Sequence, residues 1–250
     1  MRESARHNAG RHIEVAVRMQ EEKAMSKRMW YAVTAAVAMA FVAGAMVPVF
    51  AEDMAPLDIK LPKPMFVGTP KNITSPNLEK STGEKRPPFM APKDAANVAA
   101  GKDCTASDSE PIIGDLPMIT DGDKEGADGS FIEFGPGVQW VQIDLGGPHE
   151  IFAIVVWHYH SQARVYRDVI VQVSDDKDFV KDVVTVYNND HDNTAKLGVG
   201  SDKEYIETSE GRLIDAKGAK GRYVRLYSNG NTSNDMNHVI EVEVYGRPAK

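Results

Sequence analysis

Cysteine is almost missing from this chain: Cys104 stands alone among 250 residues. No intrachain disulfide can form, so stability has to come from a hydrophobic core or a bound metal. Cys104 itself reads as a small, half-buried side chain beside a first strand. Positive charge is also in deficit, with 29 Lys and Arg against 36 Asp and Glu. Residues 1–51 hold 7 of those basic groups and 4 of the acidic ones, so the remainder carries a net charge of −10. Such a surface repels a phosphate backbone and excludes nucleic acid as a partner. No nucleophile elbow, paired-histidine zinc helix or phosphate loop occurs, and the chain reads as a binding protein, not an enzyme. Beyond residue 92 no apolar positions recur at helical spacing, which leaves strands.

What is present begins with a single long apolar stretch. Lys27 and Arg28 precede it, Pro48 breaks it, and Val49-Phe50-Ala51 is followed by acidic Glu52. Residues 26–51 read as a secretory signal peptide cleaved after Ala51, delivering the rest as a secreted product to the extracellular space or periplasm. The competing reading is an uncleaved anchor, because residues 30–47 approach the length that spans a bilayer. A membrane is a partner only in that case. Residues 1–25 are polar and charged, sit awkwardly ahead of a signal peptide and read as an upstream extension, with translation expected to start at Met25.

Residues 52–92 hold 8 of the 14 prolines. No helix or strand runs through such spacing, so the segment reads as an extended linker without a core of its own, packing locally through Met65, Phe66 and Val67. Residues 93–250 then carry short apolar runs separated by Gly, Asn and Asp turns, which predicts an all-β sandwich of about eight strands. Its centre is the stretch 140–160. Val141, Ile143 and Leu145 alternate with Gln142 and Asp144, Gly146-Gly147-Pro148 predicts a break, and 151–157 is apolar throughout, as in a strand covered on both faces. Further strands are expected at 168–174, 183–187, 221–227 and 239–245, with a short hairpin over 205–214.

Five segments together resemble the discoidin, or coagulation-factor type C, domain of the galactose-binding-like jelly rolls. They are Asn97 to Gly101-Lys102, the Thr120-Asp121-Gly122-Asp123 loop, WVQIDLG over 140–146, RYVRL over 222–226, and EVEVYG over 241–246. Their order over about 150 residues carries the resemblance, which implies a jelly-roll β-sandwich and a carbohydrate-binding or adhesive role.

Two chemistries follow. The loop 121–129 places carboxylates at alternate positions among glycines, a way to wrap a hard cation in oxygen. The resemblance implies a structural calcium held by Asp121, Asp123 and Glu241. A sugar needs planar hydrogen-bonding groups and an apolar face. His158, His160, Arg164 and Tyr166 after the long strand, and Asn229, Asn231, Asn234 and His238 before the last one, are the candidate ligand-binding residues. The partner expected is a glycan or polysaccharide, with a surface protein as the alternative for an adhesive domain that has no sugar pocket. A third, lesser reading places zinc or copper on His158 and His160, joined by His191 and His238.

Overall fold

In the computed structural model, Met25 and residues 52–66, 68, 70, 72–81 and 83–249 are described. The signal segment 26–51 and nearly all of the upstream extension lie outside them, as does Val67. Among the described residues no helix is long and apolar enough to cross a membrane.

From residue 52 on, the described residues are all β, with one short 3-10 turn at Leu116–Thr120. In chain order the strands are β1 (Met54–Pro56), β2 (Met90–Pro92), β3 (Ala96–Asn97), β4 (Cys104–Ala106), β5 (Ile132–Phe134), β6 (Gln139–Trp157), β7 (Ile170–Ser174), β8 (Val184–Asn188), β9 (Arg212–Ser228), β10 (Asn237–Val239) and β11 (Glu241–Pro248). Seven of them form one antiparallel sheet in the order β3-β11-β6-β9-β7-β8, with β4 joining at β6. β10 pairs with β5, and β1 with β2.

The expected break at Gly146-Gly147-Pro148 is not a chain reversal. β6 runs through it as one strand of 19 residues, and the partner register slips between Asp144 and His149. Gly146 sits at φ +84, a conformation that a side chain would resist, so the strand bends where glycine permits it. The two halves of β6 have different outer neighbours. The first pairs with β4 and the second with β11, while β9 follows β6 through the bend. β9 is likewise continuous from Arg212, where a hairpin ending at 214 was expected, and residues 205–208 form no strand. In the last element, Ile240 interrupts the ladder and separates β10 from β11.

The core follows the alternation. Val141, Ile143, Leu145, Val156, Val171, Val173, Val224, Leu226, Val242 and Val244 form one buried cluster. Trp157, Val155, Ala153, Ile240, Phe131 and Tyr245 form another on the opposite face of β6, which explains the continuous apolar run at 151–157. Burying chains of this size contributes roughly 1.5–3 kcal/mol each before entropy is counted. Cys104 is half-buried in β4, and burial pushes its thiol up to about 12, so it is an inert filler.

The proline-rich segment has no core of its own, yet it is not a free tether. β1 and β2 pair antiparallel at its two ends, and Leu57, Ile59 and Phe89 pack on the Trp157 cluster. Leu78 bridges to Glu204, Arg212 pairs with Glu79 at 2.8 Å, and Arg86 donates to the carbonyls of Glu210 and Gly211 at 3.0 Å each. Proline removes donors along such a path, so the segment is held by its ends and by a few side chains rather than by a ladder.

Candidate functional site

β6 and β10 deliver the predicted polar residues into the interior. His158, His160, Arg164, Tyr166, Asn231 and His238 are all buried, Asn229 is half-buried, and only Asn234 is exposed. The His158 Nδ1–H donates to the wholly buried Glu207 at 2.7 Å, and the His158 ring stacks on Tyr166 at 4.3 Å. The Tyr166 hydroxyl donates to His238 Nδ1 at 2.8 Å, and His238 Nε2–H donates to Glu133 at 2.9 Å. This is the neutral tautomer of His238, and burial first, then the field of Arg164, hold its pKa down at about 4. His160 Nε2–H donates to the Lys124 carbonyl at 2.9 Å, and the Arg164 guanidinium lies over Tyr159 at 4.5 Å. These groups are paired through His158 Nδ1, His160 Nε2 and both ring nitrogens of His238, whereas His158 Nε2, His160 Nδ1 and Arg164 Nε are buried without a partner. They form a polar layer under the loops, and His158, His160, Tyr166 and His238 have no face turned to solvent. Asn231 is spent on its own loop, donating to the Asn234 side chain and the Met236 carbonyl.

An open cleft of about 290 Å³ is lined by Pro136, Gly137, Arg167, Asp168, Asp192, Thr194, Asn229 and Asp235. It sits where β6 begins, β7 begins, and β8 and β9 end. Asn229 donates to Asp168 at 2.7 Å. Asp168 adopts φ +51, a value Asp tolerates better than most residues. Its carboxyl is pushed up from the usual range, by burial above all and then by Asp190 and Asp192, against the Asn229 hydrogen bond. Asp190 is fully buried and accepts the N–H groups of Thr194 and Ala195 at 3.0 and 2.9 Å. The loop after β8 therefore supplies two of the eight residues that line the cleft, Asp192 and Thr194. The signal that could have found it is Asn188-Asn189-Asp190-His191-Asp192-Asn193, dense in groups that fold on their own backbone.

Carboxylate oxygens of Asp168, Asp190 and Asp192 lie within 4.8 Å of one another, so this triad could hold a metal ion. Among the described residues it is the one group of three His, Cys, Asp or Glu at that spacing. Among the described residues no histidine belongs to a group of three metal-ligating side chains, and this corrects the zinc or copper reading; His158 Nδ1 is turned to Glu207, His160 Nε2 to the Lys124 carbonyl, and His238 to Tyr166 and Glu133. Asp121, Asp123 and Glu241 do not bring their carboxylates together as a trio either. Asp121 and Asp123 are exposed and accept the N–H groups of Asp123 and Glu125. Glu241 is wholly buried; its Oε2 accepts the Gly122 N–H at 3.1 Å and its Oε1 has no partner. Burial pushes the Glu241 carboxyl up to about 8, with Glu243 and Asp121 adding to the shift. A buried acceptor left open beside other carboxylates is what a hard cation would complete.

A family model described as the NedA-like, galactose-binding F5/F8 type C domain matches residues 118–226. Residues 118–226 are an F5/F8 type C domain. The match runs from the acidic loop to β9 and stops short of the 229–238 loop and β11. No curated protein sequence matches the chain. Among solved structures, the chain is similar to a family 89 glycoside hydrolase from Clostridium perfringens at 17% identity and TM-score 0.45, over 61% of this chain and 15% of that one. It therefore spans about 15% of that enzyme's length. It is also similar to a fucose-binding module of Streptococcus pneumoniae, at 20% identity and TM-score 0.42 over 60% and 97% of the two chains. A third is a CBM32 of AlyQ in complex with 4,5-unsaturated mannuronic acid, at 16% identity and TM-score 0.42 over 57% and 92%. These likenesses are too distant to carry a ligand across.

Proposed function

We propose that this F5/F8 type C domain is a non-catalytic carbohydrate-binding module of an exported protein, and that it takes its sugar in the cleft at Arg167, Asp168, Asp192 and Asn229. One observation carries the reading. An open cleft at the loop end of a galactose-binding domain converges a guanidinium, carboxylates and a carboxamide, the planar groups that grip vicinal hydroxyls. The Asp168–Asn229 hydrogen bond fixes both groups before a ligand arrives, which lowers the entropy lost on binding. The buried His158, His160, Arg164, Tyr166 and His238 act beneath it by holding the loops in place. The test is a glycan array probed with the chain and with Asn229→Ala. Selective retention lost in the variant supports the reading; retention unchanged in the variant refutes the site.

A structural calcium belongs to the same proposal. Of the three expected ligands Glu241 carries the fit, because it offers a buried, unpartnered oxygen next to the Gly122 backbone, while Asp121 and Asp123 lie on the exposed loop beside it. Bound calcium would supply the charge that lets Glu241 stay ionised and so tie the acidic loop to β11. Export rests on the 26–51 signal segment, and an N-terminus at Glu52 in the mature product is the expected observation.

A further inference from the structure

The loop-end cleft carries more negative charge than a neutral sugar requires. Asp168, Asp192 and Asp235 line it against one guanidinium, that of Arg167. The wholly buried Asp190 stands with them, and one carboxylate oxygen each of Asp168, Asp190 and Asp192 lies within 4.8 Å of the others. The donors that meet these carboxylates are neutral: the Asn229 carboxamide for Asp168, the N–H and hydroxyl of Thr194 for Asp192, and backbone N–H groups for Asp190. The strongest charges acting on Asp168 are those of Asp190, Asp192 and Glu204, all negative. A cleft walled this way concentrates a field that draws in positive charge. None of its eight lining residues is aromatic, so a sugar ring finds no stacking platform and polar contacts must carry the binding. Its volume of about 290 Å³ lies just under the roughly 300–1,000 Å³ of small-molecule sites and far exceeds what a bare metal ion fills.

We infer that the sugar taken in this cleft is a hexosamine with a free, protonated amine, its ammonium among Asp168, Asp192 and Asp235 and its hydroxyls on Asn229, Thr194 and Arg167. This rests on the proposed function and names the ligand class of that same site. Three arguments choose the class. An ammonium brings three donors and one positive charge, and the carboxylates accept these as charge-assisted hydrogen bonds, about twice as strong as neutral ones. A neutral hexose would use the hydroxyl partners but leave the carboxylates repelling one another, a repulsion that already helps to raise the Asp168 carboxyl from its usual range. A uronic acid or a sulfated sugar would meet like charge at every ionised wall except Arg167.

The experiment is calorimetric titration of the full chain with hexamers of glucosamine and of galactosamine, each as the free amine and fully N-acetylated. Hexalysine is the control for charge without sugar, because residues 52–250 carry a net charge of −10 and attract polycations in general. Four proteins are compared: wild type, Asp192→Asn, Asp235→Asn and Asn229→Ala. At least one free-amine hexamer should bind wild type roughly tenfold or more tighter than its N-acetylated form and than hexalysine. Asp192→Asn and Asp235→Asn, both at exposed positions, should each weaken that binding several-fold while their melting temperatures stay within a few degrees of wild type. Asn229→Ala should weaken it as well. N-acetylated hexamers that bind as tightly as the free amines, with binding lost in Asn229→Ala, overturn the amine and leave the carbohydrate-binding reading standing. Free-amine binding that hexalysine matches, or that survives all three substitutions, also overturns it, since the charge is then met elsewhere on the surface. A chain that binds none of the hexamers yet retains other glycans on an array loses this inference alone; one that binds no hexamer and gives a blank array loses the proposed function with it.

Discussion

Replacing Glu241 with Gln separates two consequences of one buried carboxyl. Without a cation, Glu241 is raised from the ordinary 4.5 to about 8, so the folded state holds a proton that the unfolded state releases. That contribution to stability is fully present below pH 4.5 and is lost as pH rises through 8. At about 1.4 kcal/mol per unit the loss amounts to roughly 5 kcal/mol as an upper figure, and for a domain of about 200 residues roughly 2–4 °C accompanies each kcal/mol. In chelator, wild-type Tm should therefore fall by on the order of 10 °C between pH 5 and pH 9. Glu241→Gln keeps the shape and the Gly122 hydrogen bond but cannot ionise, so its Tm should lack this fall and exceed that of wild type at pH 9. Calcium at 100-fold over its Kd adds about 2.7 kcal/mol to whichever protein binds it. Wild type should gain roughly 5–10 °C, and Glu241→Gln should gain nothing. The assay is differential scanning calorimetry at pH 5, 7 and 9, with chelator and with calcium. A Glu241→Gln protein that keeps the full calcium response refutes the argument and moves the cation to Asp168, Asp190 and Asp192.

Three other outcomes are expected. Asp168→Asn keeps a residue that tolerates φ +51 but removes a carboxylate oxygen from the loop-end cleft, so glycan retention should fall by tenfold or more while Tm changes by no more than a few degrees, read by affinity electrophoresis and calorimetry. His238 sits at about 4, below its ordinary 6.5, so the stability it contributes is present above pH 6.5 and is lost as pH falls through 4, up to about 3 kcal/mol; urea melts of His238→Gln should show a shallower acid limb than wild type. Phe89→Ala removes half-buried packing against the Trp157 cluster and should cost about 1–2 kcal/mol. It should also expose residues 52–92 to trypsin at Lys60, Lys63 or Lys80, where wild type resists.

Much of the sandwich was legible because strand alternation is a local signal. Val141, Ile143 and Leu145, or Val242 and Val244, declare their faces without reference to anything distant, whereas Ile240, two residues before Val242, falls in the opposite cluster because the ladder breaks there. The bend at Gly146 was not legible as a bend. Gly-Gly-Pro announces a loss of regular pairing, but whether the chain reverses or merely slips register is decided by β9, which lies some 70 residues away and follows β6 through the kink. Gly221 marks the same neighbourhood from the other strand: a Cβ there would come within 2.6 Å of Val173.

The site was legible in its loops and not in its side-chain directions. Residues 158–166 and 229–238 do meet, but side chains that looked ready for a sugar are turned inward, to partners remote in sequence. His158 is met by Glu207, 49 residues on, and His238 by Glu133, 105 residues back. A carboxylate among 36 acidic residues carries no mark of such a role. Glu207 in particular reads as a surface residue until β6 brings Trp157 and His158 against it. The proline-rich segment misleads in the same way, since proline content reports missing ladder hydrogen bonds and says nothing about docking by Phe89, Arg86 and Leu78.

The most direct test of the central claim is a glycan array probed with the full chain, displayed multivalently in calcium, beside the Asn229→Ala protein shown by calorimetry to be folded. The account predicts retention on a small set of related glycans by wild type and its loss in the variant. A blank array from folded wild-type protein, or identical retention by both, would contradict it.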